Sequence, residues 1–81
     1  MKKVIHRKMY DTDTATKVFS VSGTDLERTL YKKKTGEFFM YLFNPLFGEL
    51  IVPYTEEDAK NWLEEAADGD TYVDVFGEVE E

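Results

Sequence analysis

The chain has 81 residues, no cysteine and a net charge of −7. This length allows one small domain spanning residues 1–81, and the lack of cysteine excludes a disulfide framework and a thiolate zinc site. No apolar run approaches the ~18 residues that a membrane span requires, so a soluble, cytoplasmic protein is expected.

The first elements are predicted to be a hairpin and a helix. Residues 3–10 favour a short strand or a small hairpin. A short helix is predicted from Asp11 to Gly23, because Asp11 is a good N-cap residue and Gly23 a good C-cap residue. One face of that helix would consist of Ala15, Val18, Phe19 and Ser22.

The middle of the chain has the pattern of an antiparallel meander. Runs rich in β-branched and aromatic residues lie at 25–34, 37–43 and 50–52. Turns that contain Gly or Pro separate them, as in consecutive hairpins. Gly36 is expected to supply the positive φ of a tight turn. The run that follows Glu37 is apolar on both faces, so we predict a central strand covered twice, by helices or by a partner. Pro53 cannot donate to a ladder and therefore marks the last run as an edge strand or as its end.

The clearest helix is predicted from Thr55 to Ala67. Thr55 has the position of the N-cap, and Asp58 has the position of the acid in a capping box. Asp68 and Gly69 are expected to end the helix. Its apolar stripe would consist of Ala59, Trp62, Leu63 and Ala66.

The end of the chain allows two predictions. Tyr72, Val73 and Phe76 form one more apolar patch, on a short helix or a strand, and residues 77–81 are expected to be a frayed acidic tail. The predicted fold is therefore α+β: a three- or four-stranded antiparallel meander, with a short N-terminal helix and a longer C-terminal helix packed on it.

The sequence contains no pattern typical of catalysis or of cofactor binding. His6 is the single histidine, and the five glycines are isolated rather than grouped in a phosphate-binding loop. The acids from Asp68 to Asp74 alternate as in a calcium loop but lack its central Gly and its bidentate Glu. We therefore predict that the protein is not an enzyme, and we predict no cofactor and no metal site.

Two surfaces of opposite charge are predicted. Residues 1–55 hold nine Lys and Arg against six acids, whereas residues 56–81 hold eleven acids against Lys60 alone. Lys32, Lys33 and Lys34, with Tyr31, Phe39 and Tyr41 as stacking platforms, could form a phosphate-binding stripe. A sequence pI near 4.6 argues against direct binding to nucleic acid. The acids either keep the domain soluble or attract a basic partner.

Several segments resemble small proteins encoded on phages, plasmids and conjugative elements of Gram-positive bacteria. The segments are Tyr10–Ala15, Glu27–Gly36, Phe38–Tyr41, Thr55–Trp62 and Phe76–Glu81. Proteins of this size and setting include anti-CRISPR inhibitors, so the resemblance implies a non-catalytic inhibitor. The segment after Phe43 is shorter and more apolar here than the Gly-rich loop that such proteins often carry.

These observations favour a small acidic protein that binds and inhibits or modulates a nucleic-acid-processing enzyme, such as a CRISPR nuclease, by presenting carboxylates in place of phosphates. The alternative is a homodimeric protein-interaction module. The residues expected to contact a basic protein partner are Glu56, Glu57, Glu64, Glu65, Asp68, Asp70, Leu46 and Phe47. Binding to a membrane is not expected.

Overall fold

The computed structural model describes residues 1–77. Within that range the chain forms six strands followed by two helices: β1 (Lys2–Ile5), β2 (Lys8–Asp11), β3 (Thr16–Ser22), β4 (Glu27–Lys32), β5 (Phe38–Asn44), β6 (Gly48–Tyr54), α1 (Glu56–Ala66) and α2 (Gly69–Phe76). The predicted acidic tail, apart from Gly77, lies outside the described residues.

The strands form two antiparallel sheets. Strands β1 and β2 pair as a separate hairpin, and the other four form a meander in the order β3-β4-β5-β6. This confirms the α+β class and the C-terminal helix that packs on a sheet. The prediction of an N-terminal helix is wrong, because strand β3 takes its place, and the described residues form six strands in two sheets where three or four strands in one meander were predicted.

The segment predicted as that helix is strand β3. Its residues pair with β4 from Thr16↔Lys32 to Ser22↔Glu27, with a bulge between Lys17 and Phe19. Val18, Phe19 and Val21 are poor helix formers that suit a pleated surface, and β4 offers them a hydrogen-bonding edge. The apparent cap has a local explanation as well. Asp11 Oδ1 accepts the N–H of Asp13 at 2.9 Å, which is an Asx turn and not a helix start.

Of the two forms predicted for the N-terminal segment, a short strand or a small hairpin, the structure has the hairpin, with its turn at His6 and Arg7. Both residues have positive φ, 51° and 66° respectively. Two such residues form the tight loop whose twist matches that of the flanking strands. The sequence carries no Gly or Asn at this turn, so the pairing of β1 with β2 must hold these two residues in the left-handed region.

Strand β5 is central and is covered on both faces, as predicted. Phe38 and Met40 face the two helices and are buried with Leu30, Ala59 and Leu63. Phe39 points to the opposite face, where it is buried with Tyr10 and Ile51 beneath the hairpin. The second cover is therefore the chain's own hairpin.

The turns and edges that the sequence predicted lie where expected. Gly36 has φ +95° in the turn between β4 and β5, and its N–H donates to the carbonyl of Lys33 at 2.9 Å. Pro53 lies in the edge strand β6, opposite Phe39 of β5. An edge position suits proline, because its missing N–H would otherwise leave a gap in a ladder.

Helix α1 begins with the predicted capping box. Thr55 Oγ1 accepts the N–H of Asp58 at 3.0 Å, and Asp58 Oδ2 accepts the N–H of Thr55 at 3.1 Å. Ala59 and Leu63 are fully buried, whereas Trp62 is only partly buried and contacts the ring of Phe19 with centroids 6.0 Å apart. The apolar patch at the end of the chain is carried by helix α2, which has no fully buried residue.

Candidate functional site

The acids predicted to meet a partner all lie on the helical layer and are exposed: Glu56, Glu57, Glu64, Glu65, Asp68 and Asp70. Glu57 and Glu64 are seven residues apart, so two turns of α1 place them on the same outward side. Asp68 has a second task, because its side chain caps α2 by accepting the N–H of Thr71 at 2.9 Å. Hydrogen bonds from the backbone and the side chain of Thr71 lower the pKa of the Asp68 carboxyl.

The carboxylates of this layer lack partner charges. The ion pairs within residues 1–77 are Lys8–Glu37 at 2.7 Å and Lys33–Glu37 at 3.2 Å, and neither involves a helix. Residues 56–77 hold eight acids against Lys60. The Nζ of Lys60 lies 5.4 Å from the centroid of the Phe76 ring. The helical layer therefore presents a surface of strongly negative potential.

The opposite layer is basic. The hairpin carries Lys2, Lys3, Arg7 and Lys8 as exposed residues, and its single acid, Asp11, is buried. Because the hairpin and the helices pack on opposite faces of the four-stranded sheet, the sheet separates the two charges. The charge division seen along the sequence becomes a division in space.

Glu37 joins the hairpin to the β4–β5 turn, a role that no local pattern indicated. Its carboxylate accepts hydrogen bonds from Lys8, Lys33 and Thr35, which lower its pKa to about 2. Lys8 is 29 positions away in sequence, so the pair could not be found by spacing.

The predicted lysine stripe is largely engaged within the fold. The Nζ of Lys33 lies 4.4 Å from the centroid of the Tyr10 ring, and that of Lys32 lies 5.7 Å from the centroid of the Phe38 ring. Phe39, one of the three proposed stacking platforms, is fully buried. This arrangement does not present the lysines beside three open rings.

Leu46 and Phe47 form an apolar tip on the β5–β6 turn and are 87% and 89% exposed. Asn44 holds this turn in place: its Oδ1 accepts the N–H groups of Leu46 at 2.7 Å and of Phe47 at 3.0 Å. Its Nδ2 also donates to the carbonyl of Asp25 at 2.6 Å, and Gly48 follows with φ +90°. These hydrogen bonds hold the backbone of the turn from which the two side chains project.

A groove of ≈ 370 Å³ lies between α1 and the edge strand β6. One wall is formed by Val52, Pro53 and Tyr54, and the other by Asp58, Asn61, Trp62 and Glu65. Of the predicted contact residues, only Glu65 lines this groove. A second groove of similar volume lies beside the apolar tip and is lined by Leu26, Leu42, Asn44, Phe47, Gly48, Glu49 and Leu50.

Within residues 1–77, no three side chains of His, Cys, Asp and Glu come together as metal ligands. Asp68 and Asp70 belong to the first turn of α2, and His6 is exposed in the hairpin turn. No helix in this part of the chain has the length and apolar character needed to cross a membrane.

Comparison with known proteins returned no relative: no family model fits the chain, and neither curated proteins nor solved structures match it significantly.

Proposed function

We propose that this chain is a non-catalytic protein that binds a basic, nucleic-acid-processing enzyme and modulates it, with helical carboxylates in the place of phosphates. One observation carries the proposal: the helical layer has eight acids, and none of them forms an ion pair within the described residues. Asp58 and Asp68 also cap the two helices, and the charges of the other acids are available to another molecule. The resemblance of the sequence to mobile-element proteins supports the same class of target.

The spacing of the acids suits an elongated basic groove. Glu57 and Glu64 are separated by about 10 Å along α1 at 1.5 Å per residue. Charged surfaces of this kind increase the rate of association and exclude partners of like charge. The acidic layer repels nucleic acid, so the expected partner is the protein and not its substrate.

The test is inhibition of target-DNA cleavage by a panel of Gram-positive CRISPR nucleases. Lysine substitution at Glu57, Glu64 and Glu65 together should weaken inhibition, and rising salt should weaken it in the wild type, since exposed charges are screened beyond ~8 Å near physiological ionic strength. Glutamate substitution at Lys2, Lys3 and Arg7 is the matched control. It changes the same number of charges on the opposite layer and should leave inhibition in place.

Cleavage that continues unchanged across the panel would overturn the nuclease-inhibitor proposal. Equal effects of the two triple variants, in opposite directions, would show that net charge acts without a defined surface.

A second candidate function is a homodimeric interaction module, favoured by the exposed apolar tip. Exposed side chains of this size are commonly contact sites. Sedimentation at about 100 μM should then give a dimer for the wild type and a monomer for Phe47→Ser, whereas Val4→Ser, at another exposed apolar position, should remain dimeric. A monomeric wild type would rule out this function.

A further inference from the structure

Part of the sheet face that carries the hairpin holds aromatic rings between carboxylates. We name this group the aromatic shelf: Glu27, Tyr31, Tyr41, Phe43 and Glu49. All five are partly or fully exposed. The register of β4, β5 and β6 places them on the same face as Phe39, opposite to the helices.

The rings of the shelf are fixed by their neighbours. Tyr31 stacks on the buried Phe39 with centroids 5.1 Å apart and an interplanar angle of 9°. Tyr41 stands almost perpendicular to Tyr31, at 86° and 6.4 Å. These contacts set the orientation of both rings, and a flat cation can stack on the partly exposed ring of Tyr41.

Carboxylates flank the outer ring of the shelf. Phe43 lies directly opposite Glu27 on β4 and opposite Glu49 on β6. The backbones of the two glutamates are therefore about 10 Å apart, twice the strand spacing, with the ring between them. Burial raises the pKa of the Tyr41 phenol, and the nearby carboxylates of Glu49 and Glu27 raise it further.

The basic residues of this face lie toward the Tyr31 end of the shelf. Lys17 on β3 lies opposite Tyr31, and the Nζ of Lys33, which follows β4, lies 4.4 Å from the centroid of the Tyr10 ring. Tyr31 is four residues along β4 from Glu27, about 14 Å at the rise of a strand. Asp13 also acts on Tyr31, since it contributes to the raised pKa of that phenol after burial and Glu27.

We infer that the aromatic shelf binds an arginine side chain of a protein partner. A guanidinium group is planar, stacks on aromatic rings and donates forked hydrogen bonds to carboxylates. It therefore matches the end of the shelf where Phe43 lies between Glu27 and Glu49, with Tyr41 beside them. An ammonium group has the charge without the plane. The inference rests on the proposed function in one respect, that the partner is basic, but it uses a different face of the molecule.

Three peptides test the shelf directly: acetyl-Gly-Arg-Gly-amide, its lysine analogue and its citrulline analogue, which keeps the planar shape without the charge. Each is titrated into the ¹⁵N-labelled full chain and followed by NMR. The arginine peptide should shift the amides of the shelf residues, bind more tightly than the lysine peptide, and bind far more tightly than the citrulline peptide.

The variant Glu27→Gln/Glu49→Gln should weaken binding of the arginine peptide about tenfold, as expected for the loss of two exposed charge contacts. The control Asp25→Asn/Asp74→Asn removes two exposed charges at positions that are not expected to contact a partner, and it should retain binding of the peptide. The amide spectra of both variants report whether the fold is intact.

Any of three results would overturn the inference. The lysine peptide or the citrulline peptide could bind as tightly as the arginine peptide, or the shelf variant could bind the arginine peptide with unchanged affinity. These outcomes are independent of the nuclease assay. If the protein inhibits cleavage but does not bind the arginine peptide, the inference about the shelf is wrong and the proposed function stands. If it binds the peptide but does not inhibit cleavage, the inference stands and the proposed function is wrong.

Discussion

One face of the four-stranded sheet is covered by two helices and the other by a two-stranded hairpin. Under the helices the core is continuous, and Leu30, Ala59 and Leu63 have no exposed surface. Under the hairpin, Phe39 is fully buried but Tyr41 and Phe43 remain partly exposed. The difference follows from length, since four-residue strands span about 14 Å and the seven-residue β5 about 24 Å.

This comparison separates stability from recognition. The helix-covered face supplies most of the fully buried apolar surface, which is the dominant favourable term in folding. The hairpin-covered face gives less burial and leaves a fixed aromatic surface open to other molecules. We expect substitutions on the first face to unfold the domain and substitutions on the second to affect binding more than folding.

The largest effect is expected at the centre of the helix-covered face. Leu63→Ala should lower the free energy of unfolding by about 2–5 kcal/mol, because it leaves a cavity among fully buried neighbours. A domain of this size has little stability to spare, so the variant should be largely unfolded at 37 °C. Urea denaturation followed by circular dichroism measures the change. A loss below 1 kcal/mol would contradict the assigned core.

Tyr10→Ala on the hairpin-covered face should have an intermediate effect. Tyr10 is buried and meets Phe39 edge to face at 5.5 Å, so about 2–3 kcal/mol should be lost. Hydrogen exchange should show that the amides of β1 and β2 lose protection before those of β5. Simultaneous loss of protection in both sheets would mean that the hairpin is not a separate layer.

A smaller effect is expected at the start of α1. Thr55→Ala removes the capping box and should cost about 1 kcal/mol. Asp68→Ala removes the equivalent cap of α2, which has no fully buried residue, and should cost less. Thermal denaturation compares the stability of the two variants. A larger loss of stability for Asp68→Ala would mean that α2 contributes more to the fold than α1.

The smallest effect on stability is expected from protonation of Glu37, whose carboxylate links the hairpin to the β4–β5 turn. Hydrogen bonds from Lys8, Lys33 and Thr35 hold its pKa at about 2 in the folded state, below the ordinary 4.5. A lowered pKa means that the contribution to stability is present above pH 4.5 and is lost as the pH falls toward 2. An NMR titration of the side chain should give a midpoint near 2, shifted upward in Lys8→Met. An ordinary glutamate midpoint in the wild type would show that the link does not form in solution.

Local chemistry determined several elements from the sequence alone. The capping box at Thr55 and Asp58, the turn at Gly36 and the edge position of Pro53 each depend on residues close together in the chain. The sequence of β5 is apolar on both faces, which predicted a central strand, because a strand buried on two sides has no face left for polar residues. Exposure of Leu46 and Phe47 followed from their place in a turn.

Only the tertiary structure decided that the segment from Asp11 to Gly23 forms a strand and that the hairpin covers the second face of the sheet. Val18 and Phe19 fit a helical stripe as well as a strand, and the edge of β4 selected the strand. The link from Glu37 to Lys8 and the flanking of Phe43 by Glu27 and Glu49 both depend on strand register. Register joins residues that are distant in sequence, so no local pattern carries it.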